Sequence, residues 1–189
     1  MKGGINRMRF TNSVISCVLP IFLASLMVAG CAAVPQVNVV RSQDASNSPI
    51  HTIALMPSGG VLADAVGLEL IRFGFRVIDT GKITGLMIRD NLTEIEITQP
   101  QNLKRLSSDQ IDAVILVKSV AGYDGRPQSA TVKIVDTKTG QLVAGVNWQN
   151  GRDGAQGSHA DQVARVDLAV AARQIADALG QALGSMPRK

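Results

Sequence analysis

Residues of the types that perform catalysis are few in this chain and far apart in its sequence. His51 lies at the start of an expected strand, and His159 lies just before an expected helix. Ser58 lacks the G-x-S-x-G setting of a nucleophilic serine and has no evident histidine partner. We therefore interpret both histidines as solvated loop residues, and we expect no enzymatic activity, no cofactor and no small-molecule substrate.

One turn has the composition of an anion site. Pro57-Ser58-Gly59-Gly60 precedes a predicted helix, whose free N–H groups could hold an anion. The turn lacks the Gly-Lys-Ser/Thr of a phosphate-binding loop, so we favour a simple strand-to-helix connection with Ser58 as a cap. Asp79 is similarly favoured as the cap of the next helix over a catalytic acid.

The chain begins with a basic segment followed by an apolar one. Lys2, Arg7 and Arg9 precede an apolar run that ends in small residues, and residues 1–30 contain no acidic residue. This pattern is typical of a secretory signal peptide. From residue 31 onward the chain contains 16 basic and 15 acidic residues. The excess of positive charge that would favour nucleic-acid binding therefore nearly disappears.

The end of this segment resembles a bacterial lipobox. In such signals, a sequence like Val28-Ala29-Gly30-Cys31 is cleaved between Gly30 and Cys31. The resemblance implies a diacylglycerol on the Cys31 thiol and a fatty acid such as palmitate on its new amino group. Ala32 in the following position implies sorting to the outer membrane. The alternative is a plain transmembrane anchor over residues 13–30, which are just long enough to span a bilayer.

Cleavage would leave Cys31 as the sole cysteine, since Cys17 lies within the signal peptide. Disulfides within the mature chain and metal sites built from several cysteines are then excluded.

The cysteine is followed by a segment without sustained periodicity. Residues 31–50 are predicted to hold the lipidated cysteine and a flexible tether, with an end-to-end distance of roughly 25 Å and a taut limit of roughly 65 Å. Val37, Val39 and Val40 could instead form a short edge strand. At the other end of the chain, residues 185–189 are predicted to be a disordered tail.

Residues 51–184 have the pattern of a single α/β domain. The elements follow the order β-α-β-α-α-β-β-β-α, and we expect a mixed parallel and antiparallel sheet of about five strands flanked by helices. The expected strands are 52–57, 75–79, 113–120, 129–136 and 141–148, and the main helices are 61–73 and 161–183. Trp148 alternates with apolar neighbours and is expected to be in the core.

Two glycine-containing loops carry the candidate partner-binding residues. Tyr123 and Arg126 lie in one loop and Arg152 lies in the other. Tyrosine and arginine are favoured interface anchors, although ordinary solvated loops remain the alternative.

The ordered motifs of the domain resemble the family of CsgG and the TolB amino-terminal domain. That family has an "IAVLP"-like strand, an "LAD" helix, a "GF-VID" strand, a "DA-hydrophobic" strand and a "V-D-hydrophobic-TG" hairpin. The matching stretches here are Ile53–Pro57, Leu62–Asp64, Gly74–Asp79, Asp112–Ile115 and Ile134–Gly140.

This resemblance implies a periplasm-facing outer-membrane lipoprotein that binds proteins. We expect an assembly or accessory subunit of an envelope machine (secretion, surface-fibre or flagellar apparatus) that binds other envelope proteins or forms a homo-oligomer. The alternative is a regulator that activates a peptidoglycan synthase by binding it. Ser129–Trp148 is the single predicted hairpin, so the chain lacks the extra hairpins by which the channel subunit crosses a membrane.

Overall fold

The computed structural model describes residues 33–42 and 49–184, which contain six strands and six helices. The strands are β1 (Gln36–Arg41), β2 (Thr52–Leu55), β3 (Arg76–Ile78), β4 (Ala113–Ala121), β5 (Pro127–Asp136) and β6 (Leu142–Gln149). The helices are α1 (Gly60–Arg72), α2 (Thr80–Arg89), α3 (Glu94–Ile97), α4 (Pro100–Ser108), α5 (His159–Ala164) and α6 (Leu168–Ala182). The predicted signal peptide, its Gly30/Cys31 cleavage site and the predicted tail at 185–189 lie outside the described residues.

All six strands form one mixed sheet in the order β1-β6-β5-β4-β2-β3. Strand β2 runs parallel to β3 and β4, whereas β4, β5, β6 and β1 pair antiparallel in succession. Crossover helices separate the parallel strands, and short turns join β4 to β5 and β5 to β6, as connection length requires. The predicted α/β class with a mixed sheet is confirmed.

The additional strand corrects the prediction of a flexible tether over residues 31–50. Residues 36–41 form β1, which pairs with β6 through the register Val37↔Trp148 and Val39↔Val146. An edge strand needs only one weakly apolar face, so its sequence signal is short and easily taken for a linker. The alternative interpretation, in which Val37, Val39 and Val40 form a short edge strand, is confirmed.

Each face of the sheet is covered by its own hydrophobic cluster. One cluster lies under α1 and α6 and includes the fully buried Ile115, Ile134 and Ile175. The other lies under the helices α2 to α4 and is centred on Met56, Ile83 and Val114. Trp148 is 1% exposed, which confirms its predicted place in the core.

The long helix predicted over 161–183 is in fact two helices, so this prediction is wrong between α5 and α6. Arg165 has an extended backbone, and the Val166 N–H donates to Asn150 Oδ1 at 2.9 Å. The Asp167 carboxylate then accepts from the Val170 N–H at 2.9 Å and caps α6. The apolar periodicity continues across the break, which is why the sequence pattern does not reveal it.

Local capping agrees with the sequence elsewhere. Asp79 accepts from the Lys82 N–H at 2.9 Å, as predicted for the cap of α2. Gly74 follows α1 with φ of +88°, a conformation that favours glycine. The predicted β5–β6 turn is held by Asp136, whose carboxylate accepts from two backbone N–H groups. Among the described residues, no helix combines the length and the apolar character that crossing a membrane would require.

Candidate interaction site

Polar and charged residues meet where the β4–β5 turn packs against α5. We call Tyr123, Asp124, Arg126, Asp161 and Arg165 the Arg165 cluster. The first three belong to the turn, and the other two lie in α5 and just after it. The end of β4 that leads into the turn, Lys118–Ala121, is exposed.

Arg165 is the buried centre of this cluster. Its side chain is 6% exposed, and Nη2 lies 3.2 Å from Asp124 Oδ1. The guanidinium carbon lies 5.1 Å from the centre of the Tyr123 ring, which is within the range of a cation–π contact. Although the ion pair with Asp124 is short, Nη2 is not aligned for a hydrogen bond, and both Nε and Nη2 are buried without a hydrogen-bond partner in the described structure. An unsatisfied buried donor costs about 1–3 kcal/mol, so Nε and Nη2 are the groups of this cluster with unused hydrogen-bonding capacity.

The guanidinium lies so close to Gly122 that any larger residue there would have to displace it. A Cβ atom at Gly122 would lie 1.9 Å from Arg165 Nη2 and 2.8 Å from Cζ. The first residue of the turn is therefore a glycine for reasons of space.

Gly122→Ala should consequently lower the free energy of unfolding by about 1–3 kcal/mol, because the buried guanidinium must move. Gly85→Ala is the control, since its Cβ would meet nothing within 4 Å and alanine favours a helix. Urea unfolding of both variants measures the difference. Equal stability of the two variants would mean that Arg165 is free to shift.

Tyr123 and Asp161 are joined by a hydrogen bond. The Tyr123 hydroxyl donates to Asp161 Oδ2 at 3.0 Å, and the Gly157 N–H donates to the same oxygen at 3.1 Å. The Gly157 N–H, with the tyrosine hydroxyl and Arg165, holds the pKa of Asp161 below its usual range. Partial burial and the Asp161 carboxylate raise the pKa of Tyr123. Asp161 is thus held as an anion near neutral pH.

Arg126 fastens the turn to the end of α5. Its Nη1 donates to the carbonyl oxygens of Gln162 and Arg165, at 3.0 and 2.9 Å. These carbonyls lie where α5 ends, so the arginine satisfies backbone acceptors that the helix break leaves free. The polar groups of Tyr123 and Arg126 therefore hold the protein's own structure together, although Tyr123 is 48% exposed and the Arg126 side chain 41% exposed.

Arg152 lies shortly after β6, where the start of the described chain contacts the domain. Its backbone exchanges two hydrogen bonds of 2.9 Å with Ala33, which attaches the start of the described chain to the end of β6. The neighbouring Gly151 is packed so tightly that a Cβ there would lie 2.2 Å from the Ala164 carbonyl oxygen. The Arg152 residue itself is exposed.

Arg152 and Arg165 both line a polar cavity of about 260 Å³. They are the charged residues among those lining it, and the others are neutral: Ala33, Val34, Gln36, Gln128, Ser129, Gln149, Asn150 and Gly151. The sequence-predicted residues Tyr123, Arg126 and Arg152 are thus brought to one end of the domain. Their role in partner binding stays a prediction.

The turn that was considered for an anion is occupied by a side chain of the protein. Glu94 accepts from the Ser58 N–H at 3.2 and 3.1 Å and from the Ser58 hydroxyl. A carboxylate therefore already fills the position that an anion would take, and Ser58 is not the side-chain cap that was expected.

The other polar candidates have structural contacts of their own. The backbone N–H groups of His51 and Thr52 donate to Asp112 Oδ2 at 2.9 Å, so this carboxylate holds the start of β2. His159 is the exposed first residue of α5. Within the described parts of the chain, no group of three or more His, Cys, Asp or Glu residues is arranged to hold a metal ion.

Sequence reasoning did not find Arg165 or Asp161. Both were placed inside or at the start of one long helix, and 38 residues separate Asp161 from Tyr123. The available signal was an arginine and an aspartate within an apolar helical pattern, which by itself indicates only a solvated helix face.

No protein-family model matches the chain, and no curated protein is significantly similar to it in sequence. Solved structures with similar folds include a PelC dodecamer from Paraburkholderia phytofirmans, with 17% identity, a TM-score of 0.39 and coverage of 75% of this chain and 97% of that one. Lipoprotein GNA1162 from Neisseria meningitidis has 18% identity and a TM-score of 0.44, over 59% of this chain and 87% of that one. TolB from Acinetobacter baumannii has 16% identity and a TM-score of 0.38, over 82% of this chain and 32% of that one.

These likenesses do not identify a function, and the membership of the CsgG family expected from the motifs stays a prediction.

Proposed function

We propose that this chain is an outer-membrane lipoprotein that faces the periplasm and serves as a non-catalytic assembly or accessory subunit of an envelope machine, such as a secretion, surface-fibre or flagellar apparatus. In this proposal the lipid on Cys31 holds the domain at the membrane. The open edge of the sheet then pairs with a second copy of the chain or with another envelope protein.

The observation that carries the proposal is the position of β1. This strand is at the edge of the sheet and begins five residues after Cys31. The Ser42 N–H donates to the Val143 carbonyl of β6. In an antiparallel pair, every second residue directs its N–H toward the partner strand, so the residues at even positions of β1 face β6. The N–H groups of Val37, Val39 and Arg41 are therefore directed away from β6, where no described strand pairs with them.

An open strand edge of this length is a site for strand addition. Proteins usually protect their edges with very short strands, with lysine or with proline. Strand β3 at the opposite edge has three residues, whereas β1 has six and contains a single charged residue, Arg41. Main-chain pairing to such an edge is a common mode of protein recognition.

The short distance between the predicted lipidation site and the domain also favours a subunit that binds its partners close to the membrane that anchors it. Because Ala33 is hydrogen-bonded to Arg152, only Ala32 separates the predicted lipidation site from the domain. A flexible tether over residues 32–50 would reach roughly 65 Å at most, which is short for contacting an enzyme in the inner membrane. This attachment is shorter still, which weighs against the synthase-activator alternative.

Val39→Pro tests the edge directly, and Val39→Thr is the matched control. Val39 is 44% exposed, and its N–H faces outward, so proline is tolerated there as it is on other edge strands. Proline removes the outward donor, whereas threonine keeps it. We expect the lipidated wild-type chain, gently solubilised from its membrane, to show a discrete complex by native mass, and Val39→Pro to associate at least about tenfold more weakly.

Thermal unfolding of the two variants provides the check on folding. A wild-type chain that is monomeric and carries no partner protein would refute the proposal. A Val39→Pro complex as tight as that of Val39→Thr would refute the role of β1.

A further inference from the structure

The polar cavity opens at the end of the domain where the chain arrives from Cys31. Ala33 and Val34 form part of its lining, and Val34 is 72% exposed. Two peptide bonds separate Cys31 from Ala33, so their Cα atoms lie no more than about 7 Å apart. A lipid on Cys31 would therefore bring this cavity to the level of the phospholipid headgroups.

The charge of the cavity is positive. Arg152 and Arg165 line it, and no carboxylate is among its described lining residues. Arg165 is paired with Asp124, but Arg152 forms no ion pair within residues 33–42 and 49–184. The neutral side chains of Gln36, Gln128 and Gln149 supply amide donors around the two cations.

The guanidinium of Arg165 is the second charged group that lines this cavity, and it has unused hydrogen-bonding capacity. Arg165 is more than nine-tenths buried, yet its Nε and Nη2 lack hydrogen-bond partners. Asp124 in the turn, with Oδ1 3.2 Å from Nη2, and Asp161 in α5 are the carboxylates near this guanidinium, and Arg126 is a third cation of the cluster. A ligand with several acceptor oxygens would supply the hydrogen-bond acceptors that Nε and Nη2 of Arg165 lack.

We propose that this cavity binds the phosphate of a phospholipid headgroup, with Arg152 as the accessible contact and Arg165 as the buried one. The inference rests on the proposed function in one respect, namely that Cys31 is the lipidation site. Guanidinium groups bind phosphate by paired charge-assisted hydrogen bonds, and the bilayer is the nearest source of phosphate for a domain held so close to it. Stable membrane attachment often combines acyl chains with a basic site of this kind.

The volume and lining of the cavity agree with this ligand. About 260 Å³ is far more than the roughly 30 Å³ that one water molecule takes in the liquid, and the lining is mostly polar. The exposed Val34 beside the opening would contact the glycerol or the first methylenes of the lipid.

The test uses the full lipidated chain in a neutral detergent, with phosphatidylglycerol as the probe and native mass spectrometry as the measurement. We expect the wild-type chain to bind phosphatidylglycerol and Arg152→Gln to bind it about fivefold or more weakly. Arg76→Gln is the matched control, because Arg76 is an exposed arginine on β3 at the opposite edge of the sheet. Arg76→Gln should bind like the wild type.

Three results would overturn the proposal: no bound phosphatidylglycerol on the wild-type chain, equal weakening by the two substitutions, or inorganic phosphate binding as tightly as the lipid. The third result would identify free phosphate as the ligand. The same spectra report the acyl groups on Cys31. A chain without acyl groups would refute the anchor on which the proposed function depends, whereas an acylated chain that binds no phosphatidylglycerol would refute the cavity proposal alone.

Discussion

Cells that express the Cys31→Ser chain should show no incorporation of labelled palmitate into it, whereas the wild-type chain is labelled. Serine has no thiol to receive the diacylglycerol, and lipobox cleavage follows that modification. The mutant should therefore keep residues 1–30 and migrate as the longer precursor. Metabolic labelling followed by intact-mass measurement reads both effects.

Cys17→Ser is the matched control for this experiment. Cys17 lies within the predicted signal peptide, so its thiol is not expected to be acylated and the variant should mature normally. Labelling that survives in Cys31→Ser would show that the lipoprotein interpretation is wrong. Loss of labelling in both variants would mean that the signal segment as a whole, and not the Cys31 thiol, is responsible.

Trp148→Ala should lower the free energy of unfolding by about 3–5 kcal/mol, the largest effect on stability that we expect from one substitution in the domain. Trp148 is 1% exposed and packs in the cluster under α1 and α6. Its Nε1 also donates to Gln174 Oε1 at 2.7 Å, which ties β6 to α6. Trp148→Phe keeps most of the apolar volume and loses this hydrogen bond, so it should cost about 1 kcal/mol from that source.

Urea unfolding of the purified domain measures these differences. Ile88→Ala is the control, since Ile88 is 75% exposed and should change stability by no more than about 0.5 kcal/mol. A Trp148→Ala protein with unchanged stability but lost partner binding would mean that the ring is a recognition aromatic. That outcome would contradict its place in the core.

The two proposals depend on different chemical groups of the molecule. Strand addition at β1 needs free backbone groups, whereas headgroup binding needs the guanidinium groups of Arg152 and Arg165. The effect of Val39→Pro on assembly and the effect of Arg152→Gln on lipid binding can therefore be measured separately. A chain that loses assembly and keeps phosphatidylglycerol, or the reverse, would show that the edge and the cavity act independently.

Short-range features of this protein could be predicted from the sequence because their causes are local. The cap at Asp79 and the Asp136–Gly140 turn each depend on a few neighbouring residues, and both are found where they were expected. The continuous apolar run of β4 is typical of an inner strand, and β4 lies between β5 and β2. The class of the fold followed from the order of these elements.

The sequence by itself therefore determined the α/β class, most strand positions and the basic, apolar start of the chain. Only the tertiary structure decided that residues 36–41 join the sheet, since an edge strand is stabilised by pairing with β6 and carries little periodicity of its own. The tertiary structure likewise decided the break after α5 and the burial of Arg165. These depend on Asn150, Asp124 and Tyr123, which lie at least 15 residues away in sequence and are brought near only by folding.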